Sequence, residues 1–219
     1  MRTRCILLSE LKSLDTTEKV PEFIAGDSKE HFLNFAFPGE KVTPGSVNGR
    51  KFEFPGVNSL YQDDQLGRYD CNRQECGHDK VCYCHFQLEI PYGKTIQMVW
   101  MNVGDGAGWG HPMHLHGHSF YVLKMAYPPQ NTTTGRLYNV SRIENELFNK
   151  DIDCGDEGLQ YCNDAKWRNN TWMNGKVPGL NLVDPPRKDT LIIPTGAYAV
   201  LRIRSDNPGK WFLHCHIEV

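Results

Sequence analysis

The sequence has no long apolar run. Stretches such as Cys5–Leu8 stop after four residues, far short of the roughly 20 that a membrane-crossing helix requires. Met1–Asp15 does not read as a signal peptide either, its apolar patch being too short for an h-region. There is no surplus of positive charge: 24 Lys and Arg against 26 Asp and Glu leave a formal net charge of −2. A nucleic-acid or anionic-membrane partner would call for a basic excess, so neither is expected. Internal repeats and low-complexity tracts are absent. Uninterrupted helix-forming sequence is scarce, because 20 Gly and 13 Pro among 219 residues exceed what a helical bundle tolerates. What the chain does have is core material. A hydrophobic content of 39%, with 11% aromatics, excludes disorder for most of it.

The apolar residues fall in short alternating groups separated by turn residues. Phe32 to Phe37 and Phe52 to Phe54 read as strands, with turns at Pro38-Gly39, Pro44-Gly45 and Asn48-Gly49. Further strands are expected at Val81–Ile90, Thr95–Asn102, Met113–Leu123, Asp189–Pro194, Gly196–Arg204 and Lys210–His216, the fifth of them half-buried. Tyr127 to Pro186 is polar and irregular, with one candidate helix at Ser141–Asn149. It is too long for an ordinary connection and reads as a decorated surface excursion. Many short strands and few helices indicate an all-β fold, a Greek-key β-sandwich with long loop excursions.

Two segments carry the chemistry: His111-Pro112-Met113-His114-Leu115-His116-Gly117-His118, and Trp211-Phe212-Leu213-His214-Cys215-His216. On a strand, side chains at i and i+2 share a face and i+1 takes the other. His114 and His116 therefore project together, and His111 has the opposite parity. His214 and His216 share a face, with Cys215 behind them. If the strands are neighbours, four imidazoles gather on one side, while His111 meets Cys215 on the other. A thiolate with imidazoles is the ligand set of a blue-copper site, and all-imidazole clusters suit copper, zinc or iron. Cys215 is bonded directly to both His214 and His216, a short covalent route for electrons between the two sides. His118 continues the parity of His114 and His116 but is read as structural, since the second segment offers it no partner.

These segments resemble the third cupredoxin domain of the multicopper oxidases, the laccase-like group in particular. Arg187-Lys188-Asp189-Thr190 and Asp206-Asn207-Pro208-Gly209-Lys210 extend the resemblance, which runs over residues 31–219. It implies a plastocyanin-like C-terminal domain at 31–219, with 1–30 the tail of a preceding domain or a connector. It also implies that His111 and Cys215 bind a type 1 copper, His114 a type 2 copper, and His116, His214 and His216 a type 3 pair. The implied reaction is oxidation of phenols, aromatic amines or metal ions coupled to reduction of dioxygen to water. The family's sites use ten His and one Cys, of which this chain offers five His and Cys215. In the family pattern the second type 1 histidine and an axial residue would follow Val219, and two more HxH motifs would come from upstream cupredoxin domains. The chain is thus expected to be an incomplete piece that is inactive alone. A non-catalytic copper- or zinc-binding cupredoxin module and a ferroxidase-type enzyme are the competing readings.

Seven other cysteines remain. Cys154 and Cys162 are expected to pair. Cys71, Cys76, Cys82 and Cys84 are read as disulfides, although with His78 and His85 they could also supply four zinc ligands. Cys5 is the odd one, and its partner is expected in chain outside this sequence. Three sequons, at Asn131, Asn139 and Asn169, point to a secreted glycoprotein.

Overall fold

The computed structural model describes residues 6–36, 45–62, 81–84, 86–104, 110–128, 149–155 and 162–217. Among these, thirteen strands form three sheets. The largest has eight strands: β1 (Lys29–Ala36), β2 (Ser46–Val47), β3 (Arg50–Phe52), β4 (Cys82–Cys84), β5 (Thr95–Met101), β7 (Phe120–Ala126), β10 (Arg187–Lys188) and β12 (Tyr198–Arg204). Its order is β10-β7-β12-β5-β1-β2-β3-β4. Packed against it is a three-stranded sheet in which β6 (His111–Leu115) lies between β11 (Thr190–Ile193) and β13 (Leu213–Cys215). A small ribbon pairs β8 (Ile152–Asp153) with β9 (Lys166–Trp167).

The expected all-β sandwich is the observed architecture. Alternation explains its layering. Ile96, Met98 and Trp100 of β5 and Ala199, Leu201 and Ile203 of β12 face the three-stranded sheet, where Met113, Leu191 and Cys215 meet them. Trp100 is the hub, with Phe35 and Phe120 edge-on at centroid distances of 5.6 and 4.8 Å. The opposite parity, Val99 and Met101 with Tyr198 and Val200, forms a second core.

That second core corrects two expectations. The expected half-buried strand at 196–204 is buried on both faces. What covers it is the polar excursion itself, which is therefore a packed outer layer. It contributes Ile152, Cys162, Trp167 and Val177 to the second core, and the Cys154–Cys162 disulfide staples it. Closing a loop with a sequence separation of 8 contributes about 2–3 kcal/mol. Seeding by a few apolar residues in a polar sequence gave no periodic signal, so the layer read as decoration. Most of the candidate helix at 141–149 lies outside the described residues.

Four strand expectations also change: the strand expected at Phe52 to Phe54 is Arg50–Phe52, and Lys210–His216 is strand over Leu213–Cys215. Among the described residues of Val81–Ile90, strand covers Cys82–Cys84. Met113–Leu123 is two strands broken after Leu115. Gly117 sits at the break with φ +69°, and a β-carbon there would lie 2.3 Å from the Trp211 ring. Both facts demand glycine. The turn is held from the far side by Asn207, whose amide donates to the Gly117 carbonyl at 2.8 Å, while the Trp211 indole donates to the Asn207 carbonyl at 3.0 Å. The expected Asn48-Gly49 turn joins β2 to β3 with both residues at positive φ, as a two-residue hairpin of this hand requires.

Residues 6–28 run along the sandwich. The Ser13 amide donates to the Asp184 carbonyl at 2.8 Å, and Arg202 donates to the Pro21 carbonyl at 3.0 Å. Arg202 also donates to Gln97 at 2.7 Å, and Gln97 in turn to Glu30 at 2.6 Å. This network partners the Gln97 amide and the two terminal nitrogens of Arg202.

Candidate metal centre

The site is built on β6 and the strands on either side of it. Register places Thr190, His114 and His214 in one row across the sheet, and Leu191, Met113 and Cys215 in the next. Neighbouring rows point to opposite faces. Thus the first row looks outward and the second into the core.

On the outward face four imidazoles converge. The His114 ring lies 4.7, 5.6 and 5.2 Å from those of His116, His214 and His216, and His214 stacks on His216 at 5.4 Å. The Nε2 atoms of His116 and His214 are 2.9 Å apart. His114, His214 and His216 each offer a ring nitrogen within 4.8 Å of the others. His116 and His216 lie just beyond their strand ends. Main-chain bonds hold them there: the His116 amide donates to the Phe212 carbonyl and the His216 amide to the Pro112 carbonyl, each at 2.8 Å.

Two of the rings are fixed from behind. His114 Nδ1 is 3.0 Å from the Asp189 carbonyl and 2.9 Å from Thr190 Oγ1, and His214 Nδ1 is 3.0 Å from the Cys215 carbonyl. A carbonyl only accepts, so each Nδ1 donates, which leaves Nε2 as the acceptor and ligand atom of the ring; in His214 that atom meets His116 Nε2. Desolvation, then the charge that His114, His214 and His216 would carry, holds His116 below its ordinary pKa. This favours the neutral imidazole, the form that ligates metal.

The inward face differs. His111 and Cys215 are 3% and 2% exposed, and His111 Nδ1 lies 3.3 Å from Cys215 Sγ. The Ile217 amide donates to the same sulfur at 3.4 Å. Cys215 is the free cysteine among the described residues.

All six residues singled out in the sequence are thus brought into two groups, four on one face and two on the other. His118 is not among them. The turn at Gly117 cancels its parity, and its ring packs against Trp211 at 6.3 Å with Nε2 buried and unpartnered among the described residues. Sequence reasoning missed Thr190 as a neighbour of His114, because nothing local reveals the β11–β6 register. Cys82 and Cys84 are disulfide-bonded, which removes two of the thiolates a zinc site would need. Cys71, Cys76, His78 and His85 lie outside the described residues.

A family model described as multicopper oxidase matches residues 59–219. The chain belongs to the multicopper oxidase family. Similar curated proteins include Laccase-10 of Arabidopsis thaliana, 32% identical over 131 residues, which are 60% of this chain and 16% of that protein. Laccase-24 of Oryza sativa subsp. japonica is 33% identical over 129 residues, 59% of this chain and 15% of that protein. The chain spans about a sixth of the length of the curated relatives it matches. Among solved structures it resembles Fet3p, described as a multicopper oxidase that functions in iron import. The TM-score is 0.53 at 18% identity, over 100% of this chain and 34% of that one, a likeness of fold alone.

The cofactor of multicopper oxidases is copper, and the donor set here fits it. Imidazole nitrogens with free lone pairs suit copper on the outward face, and a buried thiol beside an imidazole suits it on the inward face. No carboxylate joins the outward group among the described residues.

Proposed function

We propose that this chain supplies the C-terminal cupredoxin part of a laccase-like multicopper oxidase. In this reading residues 31–219 are the domain and 1–30 a connector from an upstream one. The observation that carries it is the division of ligands by strand parity into an open imidazole face and a closed thiol face on the same three strands.

His111 and Cys215 would hold copper on the closed face, and His114, His116, His214 and His216 on the open one. When bound, copper supplies one-electron redox chemistry. The protein's own contributions are positional. The core closes over Cys215 and keeps water from the thiol, which slows its oxidation. The Asp189, Thr190 and Cys215 contacts aim two imidazoles. The peptide bonds flanking Cys215 make the link between the faces covalent and short.

Beside the open face stands an exposed aromatic pair, Phe212 and Phe54, with ring centroids 5.8 Å apart. Phe212 packs edge-on to His116 at 6.0 Å. We read this patch as part of the seat of an upstream cupredoxin domain bringing further imidazoles, and the substrates of the whole protein as dioxygen and a phenol, aromatic amine or metal ion. The exposed sequon at Asn169 supports a secreted glycoprotein; those at Asn131 and Asn139 lie outside the described residues. No helix among the described residues is long and apolar enough to cross a membrane.

Oxygen uptake tests the reading. The 219-residue chain, loaded with copper and given a phenol, should consume no oxygen, because it offers five of ten family histidines. A longer polypeptide that joins it to two further HxH motifs and the following histidine should consume oxygen, and Cys215→Ser should abolish this. Uptake by the isolated chain that depends on Cys215 would refute the ligand count.

A further inference from the structure

We propose that Thr190 is a positioning residue for the open-face metal centre, acting through His114. This rests on the reading of that face as a metal centre. β11 and β6 are antiparallel with Thr190 directly opposite His114, so the two side chains leave the sheet on the same side and touch. Thr190 Oγ1 is 2.9 Å from His114 Nδ1, and the Asp189 carbonyl is 3.0 Å from the same nitrogen. Since the carbonyl can only accept, Nδ1 donates, and the hydroxyl oxygen accepts a share of the same proton. Two acceptors on either flank set both the tautomer and the angle of the ring. Nε2 is then left unprotonated as the ligand atom.

The hydroxyl is itself well placed to do this. Threonine is stiff at χ1, and a residue in a paired strand has little backbone freedom, so Oγ1 is a fixed point. His214 is held in the corresponding way by the Cys215 carbonyl, which no side-chain substitution removes. Among the described residues, Thr190 is therefore the one side chain that braces an imidazole of this face from its Nδ1 side.

The test is copper binding by the full chain in a Cys215→Ser background, so that only the imidazole face reports. Cu(II) is titrated against a chromophoric chelator, with the EPR hyperfine pattern recorded at saturation and thermal unfolding of the metal-free protein measured in parallel. Thr190→Val should weaken binding by about 10-fold or more, as loss of an outer hydrogen-bond partner does, and should alter the EPR pattern. Thr190→Ser should restore both, and the metal-free unfolding temperatures should coincide. Should the valine variant fail to fold, Thr190→Ala takes its place with the same expectation. Equal affinity and spectrum in Thr190→Val and the parent would overturn the positioning role and leave the metal centre standing. A deficit that Thr190→Ser does not restore would also overturn it. If copper binding by the parent is unchanged by His114→Ala, the metal-centre reading itself fails, and the role of Thr190 with it.

Discussion

The two faces of the three-stranded sheet use the same backbone for opposite ends. On one face Leu191, Met113 and Cys215 are 3%, 0% and 2% exposed and belong to the main core. On the other Thr190, His114 and His214 stand half-buried, with His216 exposed beside them. A single-residue step along β6 separates the two environments. The difference teaches that the closed face supports the fold and incidentally encloses a thiol, whereas the open face contributes little to the fold and keeps its nitrogen lone pairs available. A change to the first should cost stability. A change to the second should cost metal.

Met113→Ala is the strongest way to break the closed face. Removing a fully buried methionine should destabilise the chain by about 2–5 kcal/mol, read from urea unfolding. A loss below about 0.5 kcal/mol would mean that the two faces are not differently packed. Gly117→Ala acts at the edge between them. It places a β-carbon against Trp211 and demands a left-handed backbone from alanine. The cost should be about 1–3 kcal/mol, and copper affinity of the open face should fall with it, because His116 is the adjacent residue. An unchanged affinity would show that the turn does not position His116.

A substitution remote from both faces sharpens the contrast by sparing them. Glu30 lies across the main sheet, where desolvation raises its pKa against the smaller opposing effects of Gln97, Trp167 and Arg202. A raised pKa means that the native state holds the proton more tightly than the unfolded chain. The resulting stabilisation is complete below the ordinary carboxylate pKa and is lost as pH rises through the raised one. Glu30→Gln removes that loss. Its stability relative to the parent should therefore climb with pH across this window and level off above it, with copper binding unaltered. A flat difference across the window would remove the assignment.

Much of this was legible in the sequence. Parity within His111–His116 and His214–His216 sorted six residues onto two faces, because period-two geometry is local and needs no knowledge of partners. The Asn48-Gly49 turn was legible for the same reason. The continuous strand expected through Met113–Leu123 was not there, because the strain at Gly117 comes from Trp211, 94 residues away in sequence. The outer layer was illegible too. Ile152, Cys162, Trp167 and Val177 are scattered in polar sequence and become a core only against Val99 and Tyr198. Thr190 lies in a family-like stretch, but its contact with His114 depends on register, which strand sequences alone do not state.

One short sheet thus presents two chemically separate ligand sets. Visible absorption and EPR under Cu(II) titration test it most directly, on the chain extended through the histidine and axial residue that the family pattern adds to the inward pair, compared across that parent, Cys215→Ser and the double variant His114→Ala, His214→Ala. Two independent signals are expected: a thiolate-to-copper absorption lost only with Cys215, and an imidazole-only EPR signal lost only with the two histidines. A single signal abolished by either change, or by neither, would contradict it.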